Sequence, residues 1–138
     1  MRHGGKVTLA LGLFCLSAHA ADGDIDRQTR ACVVNAGSTA AVVRCEQQAQ
    51  AAWRARIEEH RQALLERLQG PERNHFLAAQ AAWEDYRVRE FRFIDDSFAQ
   101  RTDGLSPPLA AGAKTELLRQ RAERLAVYLS NPPPAMGK

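Results

Sequence analysis

Residues 39–68 read TAAVVRCEQQAQAAWRARIEEHRQALLERL, and this stretch decides the fold. Its apolar residues recur every three or four positions, which is the period of one face of an α-helix. That face comprises Val42, Cys45, Ala49, Trp53, Ile57, His60, Leu64 and Leu68. The opposite face mixes arginine with glutamate, as solvent-exposed helix surfaces do. Ser38 or Thr39 can cap the amino end, and Gly70-Pro71 predicts where the helix ends.

Two further stretches have the same helical period. The first follows Pro71, a residue tolerated in a first helical turn, and runs to about Gln100. Its apolar stripe comprises Phe76, Ala79, Trp83, Tyr86, Glu90, Ile94 and Phe98, with Leu77, Phe91 and Phe93 widening it. Ser106-Pro107-Pro108 predicts a cap and the start of a third helix, which ends before Asn131. The stripe of this helix comprises Leu109, Ala113, Leu117, Arg121, Leu125 and Tyr128.

These patterns predict an all-α fold, because no segment alternates in the way of a half-buried strand. We expect a small antiparallel bundle of three long helices around one core. Residues 21–37 have only weak periodicity and form a leading segment. We expect a single helical domain over residues 21–130 and a flexible tail over 131–138, where a proline run prevents helix.

The first twenty residues have the three parts of a secretory signal peptide. A cationic start precedes the apolar run 7–16, and Ala18-His19-Ala20 supplies small residues for cleavage after Ala20. The run is shorter than the roughly 20 residues that span a bilayer, and no later segment reaches that length. We therefore expect a soluble periplasmic or secreted protein. Without these residues the net charge of +3 falls to +1, which argues against nucleic acid as a partner.

Two cysteines, Cys32 and Cys45, remain after the predicted cleavage. An even number in an oxidising compartment favours a disulfide, which would tether the leading segment to the first long helix. In the chain-entropy model a loop of this length contributes about 3 kcal/mol. The alternative is a thiol nucleophile or metal ligand, but there is no CxxC motif and only His60 and His75 remain to assist.

No catalytic, metal or cofactor motif is found. HExxH, a glycine-rich phosphate loop and GxSxG are all absent. Asp95 and Asp96 are neighbours, so on a helix they point about 100° apart and cannot flank a substrate as an acid/base pair. The sequence thus predicts a protein that is not an enzyme and needs no cofactor.

Two polar residues fall on predicted buried stripes. We interpret His60 as a structural core residue, since it has no second ligand at metal-binding spacing. Glu90 would need a cation when buried, and Arg87 or Arg121 is the expected partner.

The connections between helices are the remaining places for function, because rigid bundles often bind through loops. They are residues 70–75 and 100–106, and their candidate binding residues are Arg73, His75, Arg101 and Asp103.

The second helix contains a distinctive pattern, Ala79-Gln80-x-x-Trp83-x-x-Tyr86-Arg87-x-x-Glu90, preceded by the cysteine pair. A later helix contains Arg121 and Leu125. Together these features resemble the amino-terminal domain of the LprI-type lysozyme inhibitor family, which is found in exported bacterial proteins. The resemblance covers roughly residues 30–129. The sequence departs from it at Val88 and Phe91, where family members often have an acid and a cysteine.

The resemblance implies a protein that binds and inhibits lysozyme or another muramidase. Such an enzyme has two catalytic carboxylates in its cleft, which a cation on a loop can block. Arg101 and Arg73 are the first candidates, and an acidic patch of Asp95, Asp96 and Asp103 would attract a basic lysozyme. The alternative is a periplasmic helical module with a structural or chaperone-like role and no effect on lysozyme.

Overall fold

The computed structural model describes residues 18–131, with side chains from residue 23 onward. It contains four helices: α1 (Ala18–Val34), α2 (Thr39–Arg67), α3 (Gly70–Ala99) and α4 (Ser106–Ser130). The all-α prediction is confirmed for these residues, but the expected number of three helices is wrong. The leading segment is itself a helix despite its weak periodicity. Most of the predicted signal peptide and all but the first residue of the predicted tail lie outside the described residues.

The helices run alternately up and down, and the most extensive packing joins α2 to α4. These two helices are parallel, since Gln50 Nε2 donates to Ala111 O at 3.0 Å and Arg67 Nη1 donates to Leu129 O at 2.8 Å. Helix α1 packs on α2, and α3 packs on α4. The antiparallel prediction therefore applies to helices adjacent in sequence, whereas the central pair is parallel.

The core lies between α2 and α4. Trp53, Leu118 and Leu125 are fully buried at its centre. The predicted α2 stripe is confirmed as buried from Cys45 to Leu64, with half-buried residues at its two ends. Each fully buried side chain of this kind contributes about 1.5–3 kcal/mol, so this seam supplies much of the stability.

The predicted faces of α3 and α4 are partly wrong. On α3, Tyr86 is exposed and Glu90 is half-buried, while Gln80 and Ile94 are buried. The buried residues of α4 are Ala110, Ala111, Thr115, Leu118, Ala122 and Leu125, so only Leu125 belongs to the predicted stripe. Both helices have apolar residues on more than one side. Packing on α2 selects the buried face of α4, and packing on α4 selects that of α3.

Local signals at the helix ends are confirmed in part. Ser38 caps α2, since its Oγ accepts from Ala41 N at 3.2 Å. The predicted Ser106 cap is wrong, because Ser106 is already helical and the N-cap position belongs to Leu105. Gly70 adopts φ +51°, a conformation that favours glycine, where the chain turns directly from α2 into α3.

The predicted disulfide is present. Cys32 and Cys45 are bonded with their Cα atoms 5.7 Å apart, which fixes the end of α1 against α2. Because α1 buries few large apolar side chains, this bond is a main element of its attachment. Within the described part of the chain, no helix combines the length and apolar character needed to cross a membrane.

Candidate functional site

A groove of about 520 Å³ lies between α2 and α3. It forms because α3 packs mainly on α4 and stands apart from α2. Its apolar lining comprises Ile57, Leu77, Ala81, Trp83 and Leu118, and its polar lining comprises Arg54, Glu58, Arg61, Gln80, Glu84 and Arg87. The groove therefore combines an apolar floor with a charged rim.

Each wall of the groove contains one ion pair. On α2, Arg61 donates to both oxygens of Glu58, from Nε at 2.7 Å and from Nη2 at 2.6 Å. These hydrogen bonds lower the pKa of Glu58. On α3, Arg87 Nε donates to Glu84 Oε2 at 2.8 Å.

Arg54 gives the rim its surplus positive charge. It is exposed, and no carboxylate of the described residues forms an ion pair with it. The rim thus has three guanidinium groups for two carboxylates.

A further cation, Arg121 of α4, lies behind the groove. Its Nη2 donates to Gln80 Oε1 at 2.6 Å, and its Cζ lies 5.3 Å from the centre of the Trp83 ring. Burial lowers the pKa of this guanidinium, although an arginine stays charged at neutral pH. Among described residues no carboxylate lies within 4.0 Å of it, and its Nε has no hydrogen-bond partner. The rim carboxylate Glu84 acts on this cation electrostatically from beyond ion-pair distance, so its charge is only partly balanced and adds to the positive character of the groove.

Gln80 connects this cation to the groove. Only 7% of the residue is exposed, and its Oε1 is occupied by Arg121. No described residue accepts a hydrogen bond from its Nε2. The groove is thus lined by an amide donor that has no protein partner among the described residues and reaches the solvent of the groove.

The residues of the sequence pattern divide between two sides of α3. Gln80, Trp83 and Arg87 line the groove, whereas Ala79 and Tyr86 are exposed and lie outside its lining. The expected pairing of Glu90 with Arg87 or Arg121 is wrong. Arg87 instead binds Glu84, one turn before it on the same helix, and Arg121 binds Gln80.

The predicted connection over residues 70–75 is part of α3, so the expected loop is wrong there. Arg73 Nη1 donates to Leu65 O near the end of α2, which satisfies a terminal helix carbonyl. His75 is exposed on the first turns of α3. The binding role of both residues stays a prediction.

The other connection is a true turn. Arg101 and Asp103 form an ion pair there, and Asp103 Oδ1 also accepts from Leu105 N at 3.0 Å. The hydrogen bond from Arg101 lowers the pKa of Asp103. Since most of the length of α3 separates them, this turn lies about 40 Å from Arg73 and His75. The two predicted binding regions therefore cannot contact the same small site.

Two other candidate residues, Asp95 and His60, make contacts that join helices to one another. Lys114 Nζ binds Asp95 at 2.6 and 2.7 Å, which joins α4 to α3. His60 is 2% exposed, and its Nδ1 lies 3.0 Å from Ala122 O. In the described part of the chain no group of three or more potential metal ligands is found.

The comparison with protein families decides the identity. A family model described as Lysozyme inhibitor LprI matches residues 30–125. The chain belongs to the LprI family. The match begins within α1, includes the disulfide and the whole of α3, and ends near the buried Leu125 of α4. Comparison with curated proteins and with solved structures finds no match.

In this LprI protein, the α2 residues of the groove are the ones that sequence reasoning missed. The sequence pattern places Arg54, Glu58 and Arg61 on the solvent-exposed face opposite the α2 stripe, whereas the structure places them in the groove. The spacing of Glu58 and Arg61 indicates an ion pair along the helix, but nothing local indicates that α3 lies opposite them.

Proposed function

We propose that this LprI-family protein is an exported, non-enzymatic inhibitor that binds lysozyme or a related muramidase. The observation that carries the proposal is the family match over residues 30–125. The predicted signal peptide supports export to the periplasm or beyond the cell. The absence of catalytic motifs from the sequence agrees with a binding role.

The inhibitory surface that we propose is the α3–α4 turn, because a cleft is blocked by an element that projects into it. Leu105 is exposed at this turn, and Gly104 at φ +74° sets its shape. In the complex, Arg101 exchanges Asp103 for a catalytic carboxylate of the enzyme. Both groups are exposed, so water and salt screen the ion pair and little stability is lost in the exchange.

The predicted acidic patch contributes little to steering in this proposal. Asp95 is paired with Lys114 and Asp103 with Arg101, so two of its three carboxylates have a cation beside them. A charge of +1 after signal cleavage also offers no attractive field for a basic enzyme. Affinity then depends on direct contact and little on long-range attraction.

Titration of the purified protein into a peptidoglycan-lysis assay with lysozymes of several classes tests the proposal. We expect stoichiometric loss of lysis and a matching stoichiometry in calorimetry. Arg101→Ala should weaken inhibition, whereas Arg124→Ala, at an exposed position near the far end of α4 from the turn, should not. Absence of binding to every class contradicts the proposed function, and full inhibition by Arg101→Ala contradicts the proposed surface.

A second candidate function is a helical module that binds apolar segments of envelope proteins. The observation that favours it is the exposure of large apolar side chains, with Val34 82% and Phe93 64% exposed. Suppression of aggregation of a reduced client protein, without inhibition of any lysozyme, would support this alternative. Phe93→Ser should then reduce the suppression.

A further inference from the structure

The size of the α2–α3 groove fits a small ligand better than a protein surface. Its lining extends over residues 54–61 of α2 and 77–87 of α3, which correspond to about 10 and 15 Å of helix. A stable protein interface buries about 800 Å² on each partner, which is more than a groove of this length provides. Its volume of about 520 Å³ lies in the range of small-molecule sites, about 300–1,000 Å³.

The chemistry of the lining requires a ligand with an apolar face and a polar edge. Ile57, Trp83 and Leu118 provide apolar surface, while amide, carboxylate and guanidinium groups surround it. A pyranose ring has these two properties, since its C–H groups pack on apolar and aromatic side chains and its hydroxyls bond to planar polar groups. The Nε2 of Gln80 has no protein partner among the described residues, so this donor is placed for an acetamido or hydroxyl oxygen.

The charge of the groove requires an acidic substituent on that ligand. Arg54 has no described ion-pair partner, and Arg121 lies behind Gln80 without a carboxylate within 4.0 Å. A carboxylate bound near Arg54 would balance the rim. The other charges of the rim are already paired, since Arg61 binds Glu58 and Arg87 binds Glu84.

We propose that this groove binds an acidic amino-sugar unit of the peptidoglycan glycan strand. The sugar ring packs on the apolar floor, Gln80 donates to an acetamido or hydroxyl oxygen, and Arg54 pairs with a carboxylate of the muramic acid or its stem peptide. Peptidoglycan is the acidic amino-sugar polymer that an exported envelope protein meets. The site is separate from the α3–α4 turn, so the protein would be held on the polymer that its target enzyme cleaves.

Co-sedimentation of the purified protein with isolated peptidoglycan sacculi tests the site. Ala81 is exposed and lines the groove, so Ala81→Trp fills it without disturbing the core. Ala82→Trp introduces the same side chain at the next position, which is exposed but does not line the groove. We expect binding to fall at least tenfold for Ala81→Trp and to be unchanged for Ala82→Trp. Absence of sedimentation, or equal loss in both variants, would overturn the proposal.

Two soluble polymers distinguish the source of the ligand. Chitin oligomers present the same amino sugar without charge, and hyaluronan presents it with a carboxylate on the neighbouring sugar. We expect chitin oligomers to compete about fivefold more weakly than soluble muropeptides, because they lack the carboxylate that pairs with Arg54, and hyaluronan also to compete more weakly. Equal competition by hyaluronan would overturn peptidoglycan as the source, and equal competition by chitin would overturn the role of the charge.

Charge reversal tests Arg54 directly. Loss of an exposed ion pair worth up to about 1 kcal/mol predicts about fivefold weaker sacculus binding, and like-charge repulsion adds to this, so Arg54→Glu should bind at least fivefold more weakly. Arg124→Glu reverses an exposed charge of α4 that lies outside the groove and away from the α3–α4 turn, and it should have no effect. Inhibition of lysozyme on a soluble chromogenic substrate should be unchanged in both variants, so failure of the inhibitor proposal is seen separately from failure of this one.

Discussion

Replacement of His60 by leucine should stabilise the protein, because the imidazole is only half satisfied in the core. The residue is 2% exposed, and its Nδ1 donates to Ala122 O at 3.0 Å. Its Nε2 is buried and receives no hydrogen bond from any described residue. A leucine of similar volume removes this unsatisfied nitrogen while it keeps the contacts of the α2–α4 seam.

The size of the effect follows from two opposing contributions. An unsatisfied buried polar atom costs about 1–3 kcal/mol, and the lost hydrogen bond to Ala122 contributes about 0.5–1.5 kcal/mol. The Ala122 carbonyl lies within α4, so it keeps its helical partner. We therefore expect the free energy of unfolding to rise by about 1 kcal/mol, with an increase in Tm of about 4 °C.

Urea denaturation followed by circular dichroism measures this change through the transition midpoint at constant slope. His75→Leu is the matched control, because His75 is exposed and its replacement should stay within about 0.5 kcal/mol. A loss of stability in His60→Leu would refute the reasoning, since it would show that Nε2 is satisfied in the folded protein.

Three further predictions concern stability. Cys32→Ser should lower Tm by several degrees under oxidising conditions, as about 3 kcal/mol of loop constraint is lost, and an unchanged Tm would contradict a structural role for the bond. Leu118→Ala should cost about 3–5 kcal/mol in urea denaturation, because the side chain is fully buried, and a cost below about 1 kcal/mol would contradict its central position. Hydrogen bonds from Arg119 lower the pKa of Glu116, so the pair stabilises the fold above the usual carboxyl range and loses its effect as the pH falls through the lowered pKa. Arg119→Ala should thus reduce stability at pH 7 by up to about 1 kcal/mol, and the difference should disappear in acid; a constant difference across the pH range would contradict the linkage.

Sequence reasoning recovered what is encoded by neighbouring residues. The stripe from Cys45 to Leu64 is the buried face of α2, and Ser38 is its cap. Sequence reasoning did not predict the helix α1, because its apolar period is weak. This helix is joined to α2 by the disulfide between Cys32 and Cys45. Sequence reasoning failed again at residues 70–75, because a glycine in a left-handed conformation allows a turn shorter than the expected loop.

The candidate site was recovered only in part. Gln80, Trp83 and Arg87 belong to a pattern visible in the sequence, but their shared place in a groove depends on α2. The pairing of Gln80 with Arg121 joins residues 41 positions apart, and no local signal prefers it over the expected contact with Glu90.

The sequence by itself determined the helical fold, most helix boundaries, the disulfide and the family resemblance. These depend on local propensity, helical period, turn residues and cysteine number, which act over a few residues. Only the tertiary structure decided which faces of α3 and α4 are buried, where the groove opens and how Arg121 is held. Each of these depends on the relative positions of helices that each have several apolar sides. One arrangement is selected because α4 packs on α2 and α3 packs on α4.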